Sequence, residues 1–451
     1  MNHMQNLNKL RLIMSTKKTL IQNGYLVSSK DISKKDILIE NGKITKIGNL
    51  DNIDADCIID ASDKYILPGI IDPQVHFRDP GLTHKEDLRT GSMAAAAGGV
   101  TTFFEMPNTN PATTTIEKLN QKYNTASKKS IVNYSFFLGA TSKNLDEISK
   151  LKNNCGLKIF MGSSTGNLLV DDDESLEKIF ATCNRVIAVH AEDEEILKES
   201  AKSIPGKDFS HHVKARPVEA ALKATTKAIG LALKYKKRLH VLHLSTAEEV
   251  KLIREHKSTN LITCETTPQH LLMHSPNIYN EIGAFAQMNP PIRSKRHQEE
   301  LWKGLFDGTI DCIATDHAPH TLDEKKLPYG EAPSGMPGVE TSLTLMLNEV
   351  SKNKVKLENI VKWMSENPAQ LYKLKNKAFL KPGYDADITI VDMNKEKVIS
   401  NDFMKTKCGW TAFNGKKTKG WVQTTIVNGN IIYDNEELNM DFTGKKVDFE
   451  Y

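Results

Sequence analysis

The sequence predicts an α/β protein: a (β/α)8 TIM-like barrel with a small discontinuous β-sandwich domain formed by the two chain ends. Three features lead there. Strand-like and helix-like stretches alternate through the middle of the chain, both ends read as short strands joined by Asn-Gly turns, and reactive side chains recur where the middle strands stop.

The first end, residues 17–67, contains TLIQNGYLV, DILIENGKITKIG, CIIDA and KYILPG, with Asn23-Gly24 and Asn41-Gly42 between apolar runs. Asn-Gly flanked by such runs is a strong hairpin signal, because both turn residues accept positive φ. The other end, residues 378–451, repeats the pattern in GYDADITIVDMN and WVQTTIVNGNIIYD, with Asn428-Gly429. The two ends are expected to close into one β unit, with residues 68–377 inserted between them.

In that middle region the strand candidates are Ile70–Phe77, Val100–Met106, Ile131–Leu138, Gly156–Met161, Val186–His190, Leu239–Leu244, Leu261–Glu265 and Ile310–Thr315. Helical stretches between them include Glu86–Ala97, Leu145–Leu151, Glu174–Ala181, Val218–Tyr235 and Ala247–Glu255. Eight strands separated by helices or long crossovers describe a parallel barrel. A doubly wound open sheet would want a Gly-rich phosphate turn after an early strand, and none is present.

Composition is that of a water-soluble globular chain: 39% hydrophobic and 26% charged residues over 451 positions, with a mean hydropathy of −0.42. A net charge of +4 on this length is too small to imply nucleic acid or a membrane surface as partner. Six scattered cysteines without a C-x-x-C pair point to free thiols in a reducing compartment. No apolar run approaches the roughly 18 residues of a membrane span. LRLIM near the N-terminus is too short for a signal-peptide core, and Met14 is an alternative start. A cytoplasmic protein is expected.

Function is expected at the C-terminal ends of the barrel strands. The first strand runs into IIDPQVHFRDPG, where Asp72, Gln74, His76 and Arg78 alternate and so share one face of an extended chain. The second strand ends MPNTNP with Asn108, the fourth is GLKIFMG with Lys158, and the fifth and sixth end at His190 and His243. The eighth ends TDHAPH with Asp316, His317 and His320. Imidazole and carboxylate are the ligands of zinc and its neighbours. A lysine inside an apolar strand has its ammonium form disfavoured by desolvation. The neutral amine reacts with carbon dioxide to give a carbamate, an anionic ligand able to bridge two metals that activate water. His211, His212, His240, His270 and His274 fall off the strand ends or out of phase and are read as structural.

These motifs resemble the cyclic amidohydrolase superfamily and, within it, the long-chain class of dihydroorotases. The resemblance rests on DPQVHFRDPG, AGGVTTFFEMPNTNP, GLKIFMGSSTG, VHAED, LHLST, MNPPIRS, TDHAPH and PSGMPGVET, in family order from residue 72 to 341. It implies that His76, carboxylated Lys158, His190, His243 and Asp316 hold one or two zinc ions, and that Asp316 is also the catalytic acid/base. It further implies that Arg78, Asn108 and His320 bind a substrate carboxylate, that Asn289 contacts the ring, and that main-chain groups at Ser334 and Gly335 complete the pocket. The reaction implied is the reversible cyclisation of N-carbamoyl-L-aspartate to (S)-dihydroorotate, a step of pyrimidine biosynthesis. GSSTGNLLV, Gly162–Val170, has the small residues of a lid. A homodimer, with aspartate carbamoyltransferase as a possible associate, is the implied assembly.

One position departs from that pattern. The family carries His-x-His on the first strand, and here the first member is Gln74. A neutral amide oxygen is a far weaker zinc ligand than imidazole. The expectation is an active enzyme whose strand-one metal is weakly held or absent. Two other readings stay open: an allantoinase or hydantoinase, and an inactive homologue kept as a scaffold.

Overall fold

The computed structural model describes residues 18–163, 168–202, 204 and 208–450. The expectations about the N-terminal segment before residue 18, including Met14, lie outside the described residues, as does the centre of the stretch read as a lid. No helix among the described residues is long and apolar enough to cross a membrane.

The chain starts with β1 (Lys18–Gln22), β2 (Tyr25–Val27), β3 (Ile32–Lys34), β4 (Asp36–Glu40), β5 (Lys43–Gly48), β6 (Cys57–Asp60) and β7 (Tyr65–Pro68). It ends with β16 (Ile388–Val398), β17 (Lys417–Val427), β18 (Asn430–Asp434) and β19 (Glu437–Leu438). Four of the early strands form one sheet in the order β5-β4-β1-β6. The other three join the late strands in a seven-stranded sheet, β19-β18-β17-β16-β7-β2-β3. The seam is the antiparallel pair β7–β16, where Pro68 lies opposite Ile388 and Tyr65 opposite Val391. Ile21, Ile37, Ile39, Ile44, Ile66, Ile388, Ile390 and Ile426 fill the space between the two sheets. β-branched side chains suit such a surface because they are stiff and pack well on a pleat. The last residues leave this unit and return to the barrel, where Lys446 bridges to Tyr134 and Phe449 to Leu374.

Between the ends, β8 (Ile70–Val75), β9 (Val100–Glu105), β10 (Asn133–Gly139), β11 (Gly156–Phe160), β12 (Ile187–His190), β13 (Leu239–Val241), β14 (Ile262–Thr266) and β15 (Cys312–Ile313) form one parallel sheet in sequence order. It closes where Val75 bridges to His317 and the His76 N–H donates to the His317 carbonyl at 2.7 Å. The result is the expected barrel. Ile71, Phe104, Met106, Phe137, Ala188, Leu242 and Cys312 plug its interior, and the opposite faces of the strands pack under helices. Those helices include α1 (Leu88–Ala97), α2 (Ile116–Lys129), α3 (Leu145–Ser149), α4 (Asp173–Thr182), α5 (Glu194–Lys202), α6 (Val218–Tyr235), α7 (Ala247–His256), α8 (Lys295–Asp307) and α9 (Ser342–Ser351).

The sequence placed most of these within a few residues. Helix α1 starts later than expected because Asp87 caps it, its carboxylate accepting from the N–H groups of Arg89 and Thr90. The late strands are shorter than expected: β13 spans three residues and β15 two. His243 (φ 36°) and Asp316 (φ 46°) adopt left-handed conformations that end the ladder. Arg78 does the same at φ 64°, so the strict alternation from Asp72 to Arg78 stops at Val75.

Candidate active site

At the C-terminal mouth of the barrel lies a cavity lined by Gln74, His76, Arg78, Asn108, Lys158, His190, His243, Asn289, Asp316, Ser334 and Gly335, together with Phe160 and Ala318. Every residue given a metal, catalytic or substrate role from the sequence is in that lining except His320. That ring is fully buried behind Arg78. The Lys85 ammonium, which only donates, reaches its Nδ1 at 3.1 Å. Its Nε2 then carries the hydrogen and faces the Ser334 carbonyl at 3.1 Å, with Arg78 Nη2 at 3.3 Å.

The metal-type donors fall into two groups. On one side His76 Nδ1 lies 2.7 Å from Asn108 Oδ1 and Nε2 lies 3.1 Å from Asp316 Oδ1. An amide oxygen only accepts, so Nδ1 carries the hydrogen and Nε2 points a lone pair at the carboxylate. Gln74 donates from Nε2 to the same Asp316 oxygen at 3.0 Å, and its Oε1 is buried without a hydrogen-bond partner among the described residues. Gln74 therefore meets Asp316 with a donor.

On the other side His190 Nδ1 and His243 Nε2 stand 3.0 Å apart with their rings edge-on. Glu192 Oε2 lies 3.0 Å from His190 Nε2, a charge contact off the ring's N–H direction that still favours the hydrogen on that nitrogen, and Nδ1 faces His243. Desolvation lowers the pKa of both rings, His243 well below the ordinary range. Two neutral imidazoles and a lysine amine on three neighbouring strands, with the Asp316 carboxylate lining the same cavity, are a donor set that suits zinc.

Lys158 sits on β11 opposite Ala188 of β12. It is 1% exposed, with its Nζ 4.4 Å from the centre of the Phe160 ring. Burial brings its pKa down to about 7, against the opposing pull of Asp316. A large fraction is thus the free amine near neutrality, as carbamate formation requires.

Arg78 is also 1% exposed, and burial lowers its pKa to about 10, still cationic. Nε donates to the Pro319 carbonyl at 3.3 Å, while Nη1 has no partner among the described residues. A buried guanidinium with one unanswered N–H edge on a cavity is a receptor for a carboxylate. Asp72 does not line the cavity. It accepts from Thr315 N (3.1 Å) and Thr315 Oγ1 (2.5 Å), fastening the residue before Asp316.

Several supports escaped sequence reading. Gln287 donates to Ser334 Oγ at 2.9 Å, and its carbonyl accepts from Gly335 N–H at 2.8 Å. His212, read as structural, lies 2.9 Å from Asn289 Oδ1 and holds that side chain at the cavity. Neither carries a local signal, since each acts across a long sequence separation. His240, Glu265 and Cys312 form a separate buried group below the site. Thr263 Oγ1 donates to the Leu239 carbonyl, so it accepts from His240 Nδ1 at 3.0 Å. Burial raises the Glu265 pKa well above its usual range, and the protonated acid donates to His240 Nε2 at 3.0 Å. The two side chains thus pair as neutral groups, with Glu265 Oε1 left without a hydrogen-bond partner among the described residues.

Barrel, mouth and donor set together define a hydrolase of the amidohydrolase class. Residues 65–432 match the amidohydrolase family, and the chain belongs to it. The chain is 39% identical to a dihydroorotase of Methanosarcina acetivorans over 435 residues, covering 93% of this chain and 92% of the relative. It is 36% identical to a dihydroorotase of Lactobacillus acidophilus, covering 92% of this chain and 99% of the relative. Among solved structures it superposes on the L-hydantoinase of Arthrobacter aurescens with a TM-score of 0.92 at 32% identity, over 95% of this chain and 99% of that one. Dihydropyrimidinase of Brevibacillus agri gives 0.89 at 28%, over 96% and 100%.

Proposed function

We propose that this chain is a dihydroorotase, interconverting N-carbamoyl-L-aspartate and (S)-dihydroorotate in the cytoplasm as a step of pyrimidine biosynthesis. The observation that carries the choice is the buried Arg78, with its unanswered Nη1 edge in the same cavity as the metal-type donors. Dihydroorotate has a carboxylate beside its ring amides; hydantoin and allantoin do not. Two archaeal relatives at 39% identity are dihydroorotases.

In this reading Lys158 (as its carbamate), His190, His243, His76 and Asp316 hold zinc, with the His190–His243 side the stronger. Gln74 is a hydrogen-bond donor to Asp316 and not a ligand, which leaves the strand-one side to His76, Asp316 and the shared Lys158 carbamate. Zinc bound there supplies a Lewis acid and lowers the pKa of water. Arg78 and Asn108 orient the substrate carboxylate, and the His320 Nε2–H holds the Ser334 carbonyl beside Arg78. Asn289 and the main chain at Ser334–Gly335 bracket the ring. Asp316 takes the proton of the attacking water in the hydrolytic direction and delivers it to the departing ring nitrogen; in biosynthesis the transfers reverse. Residues 17–67 and 378–451 act as the β unit that flanks this barrel, and the protein works as a homodimer, free or with aspartate carbamoyltransferase.

A hydantoinase reading has the structural likeness in its favour. Turnover of dihydroorotate, hydantoin and allantoin by zinc-loaded protein decides between them. Activity on dihydroorotate alone is expected, and activity confined to the other two overturns the proposal. An inactive scaffold would turn over none of the three.

A further inference from the structure

The residues that follow β11 lie on those that follow β12 without slack. Met161 N–H donates to the His190 carbonyl at 3.0 Å. A Cβ placed on Gly162 would stand 2.3 Å from the Glu192 carbonyl oxygen, so only glycine permits the approach. Ser163 N–H donates to Glu194 Oε2 at 2.6 Å, and the Ser163 carbonyl accepts from Arg216 Nη2 at 2.7 Å.

Arg216 also turns the other way. Its Nε donates to Glu192 Oε2 at 3.0 Å, the oxygen that lies 3.0 Å from His190 Nε2. The Arg216 carbonyl in turn accepts from Arg293 Nη1 at 2.6 Å, and Arg293 Nε donates to Ser245 Oγ at 3.2 Å. Ser245 is two residues beyond His243. One arginine is thereby tied to the ends of β11, β12 and β13, the three neighbouring strands that deliver Lys158, His190 and His243.

We propose that Arg216 is a positioning residue that holds these three strand ends in register and, through Glu192, aims the His190 lone pair, so that it sets how tightly the centre retains metal. It touches none of the donors itself. Glu192 is fully buried and requires a cation beside it. A planar fork answers the carboxylate and the Ser163 carbonyl at once, which a single ammonium does not. The inference rests on the metal reading above.

The test is zinc affinity, measured by chelator competition on full-length protein, with thermal unfolding of the metal-free protein alongside. Glu192→Gln and Arg216→Gln are each expected to weaken zinc binding by roughly 10- to 100-fold, the usual effect of removing a group that orients a ligand. The double variant is expected to be no weaker than the worse single, because both act along one path. Arg216→Lys should fall between native and Arg216→Gln. Arg254→Gln, which breaks an exposed pair with Asp307, should bind zinc as native protein does. Native affinity in Glu192→Gln and Arg216→Gln, or additive losses in the double variant, overturns the proposal and leaves the metal reading standing. Native protein that takes up no zinc removes both. Should Arg216→Gln fail to fold, Glu192→Gln and Arg216→Lys, which keep hydrogen-bonding groups in place, decide the question by the same measure.

Discussion

Lys158 and Arg78 are both cations removed from water, and their chemistry separates them. The ammonium of Lys158 is strongly hydrated, so burial brings it to the edge of neutrality, with a pKa of about 7. The delocalised guanidinium of Arg78 keeps its charge under the same burial. One is thus suited to react with carbon dioxide and the other to clamp an anion. Lys158→Ala is expected to lose bound zinc and turnover together, with partial recovery on adding a short carboxylate; full metal content and activity in that variant would sink the bridging role. Arg78→Lys removes the fork and keeps a charge. A lost charged hydrogen bond of about 1.5–3 kcal/mol corresponds to roughly a 10- to 100-fold rise in KM for dihydroorotate, whereas kcat should change much less. Lys158 was legible in the sequence because it interrupts an apolar strand. The donor role of Gln74 was not, because it depends on which end of the amide faces Asp316.

At the scale of elements, the strands stop where catalytic geometry begins. Arg78, His243 and Asp316 all sit at positive φ, a conformation that costs on the order of 1–3 kcal/mol for a side chain of this kind. It is held because neighbouring loops over-determine it. The turn after β8 shows how: Asn110 N–H donates to the Pro80 carbonyl at 3.0 Å, and Gly81, at φ 88°, passes so close that an added Cβ would lie 1.8 Å from the Asn110 carbonyl oxygen. Gly81→Ala should push the loops bearing Arg78 and Asn108 apart. A stability loss of about 1–3 kcal/mol in urea titration, with a raised KM, is the expected outcome, and unchanged values for both would contradict this account. Sequence periodicity located these strands well and their ends less well, since a period of two carries no information about where φ changes sign.

At the scale of the whole molecule, the chain-end β unit is joined to the barrel by buried polar contacts as well as by the β7–β16 seam. Glu340, just before α9, accepts from Lys405 N–H at 2.8 Å and Thr406 N–H at 3.3 Å through one oxygen. Burial raises its pKa to about 8 from an ordinary 4.5. Below about pH 4.5 the folded and unfolded chains both hold this proton. As pH rises toward 8 the unfolded chain releases it while the folded chain retains it, so the stabilising contribution declines across that window. Glu340→Gln keeps the acceptor and removes the proton. It is expected to flatten the fall in stability between pH 5 and 8, read as denaturation midpoints at several pH values; an unaltered slope would show that Glu340 does not titrate in this way.

Sequence alone determined the fold class and nearly the full set of side chains at the barrel mouth. Strand periodicity and strand ends are local properties, and a parallel barrel brings all its strand ends to one rim. Only the tertiary structure decided how those side chains serve one another. It placed His320 behind Arg78, turned the Gln74 amide nitrogen toward Asp316, and gathered three strand ends on Arg216. Such contacts join residues as far apart as Gln74 and Asp316, and their distances follow from closure of the barrel and the packing of its loops, which no local pattern encodes.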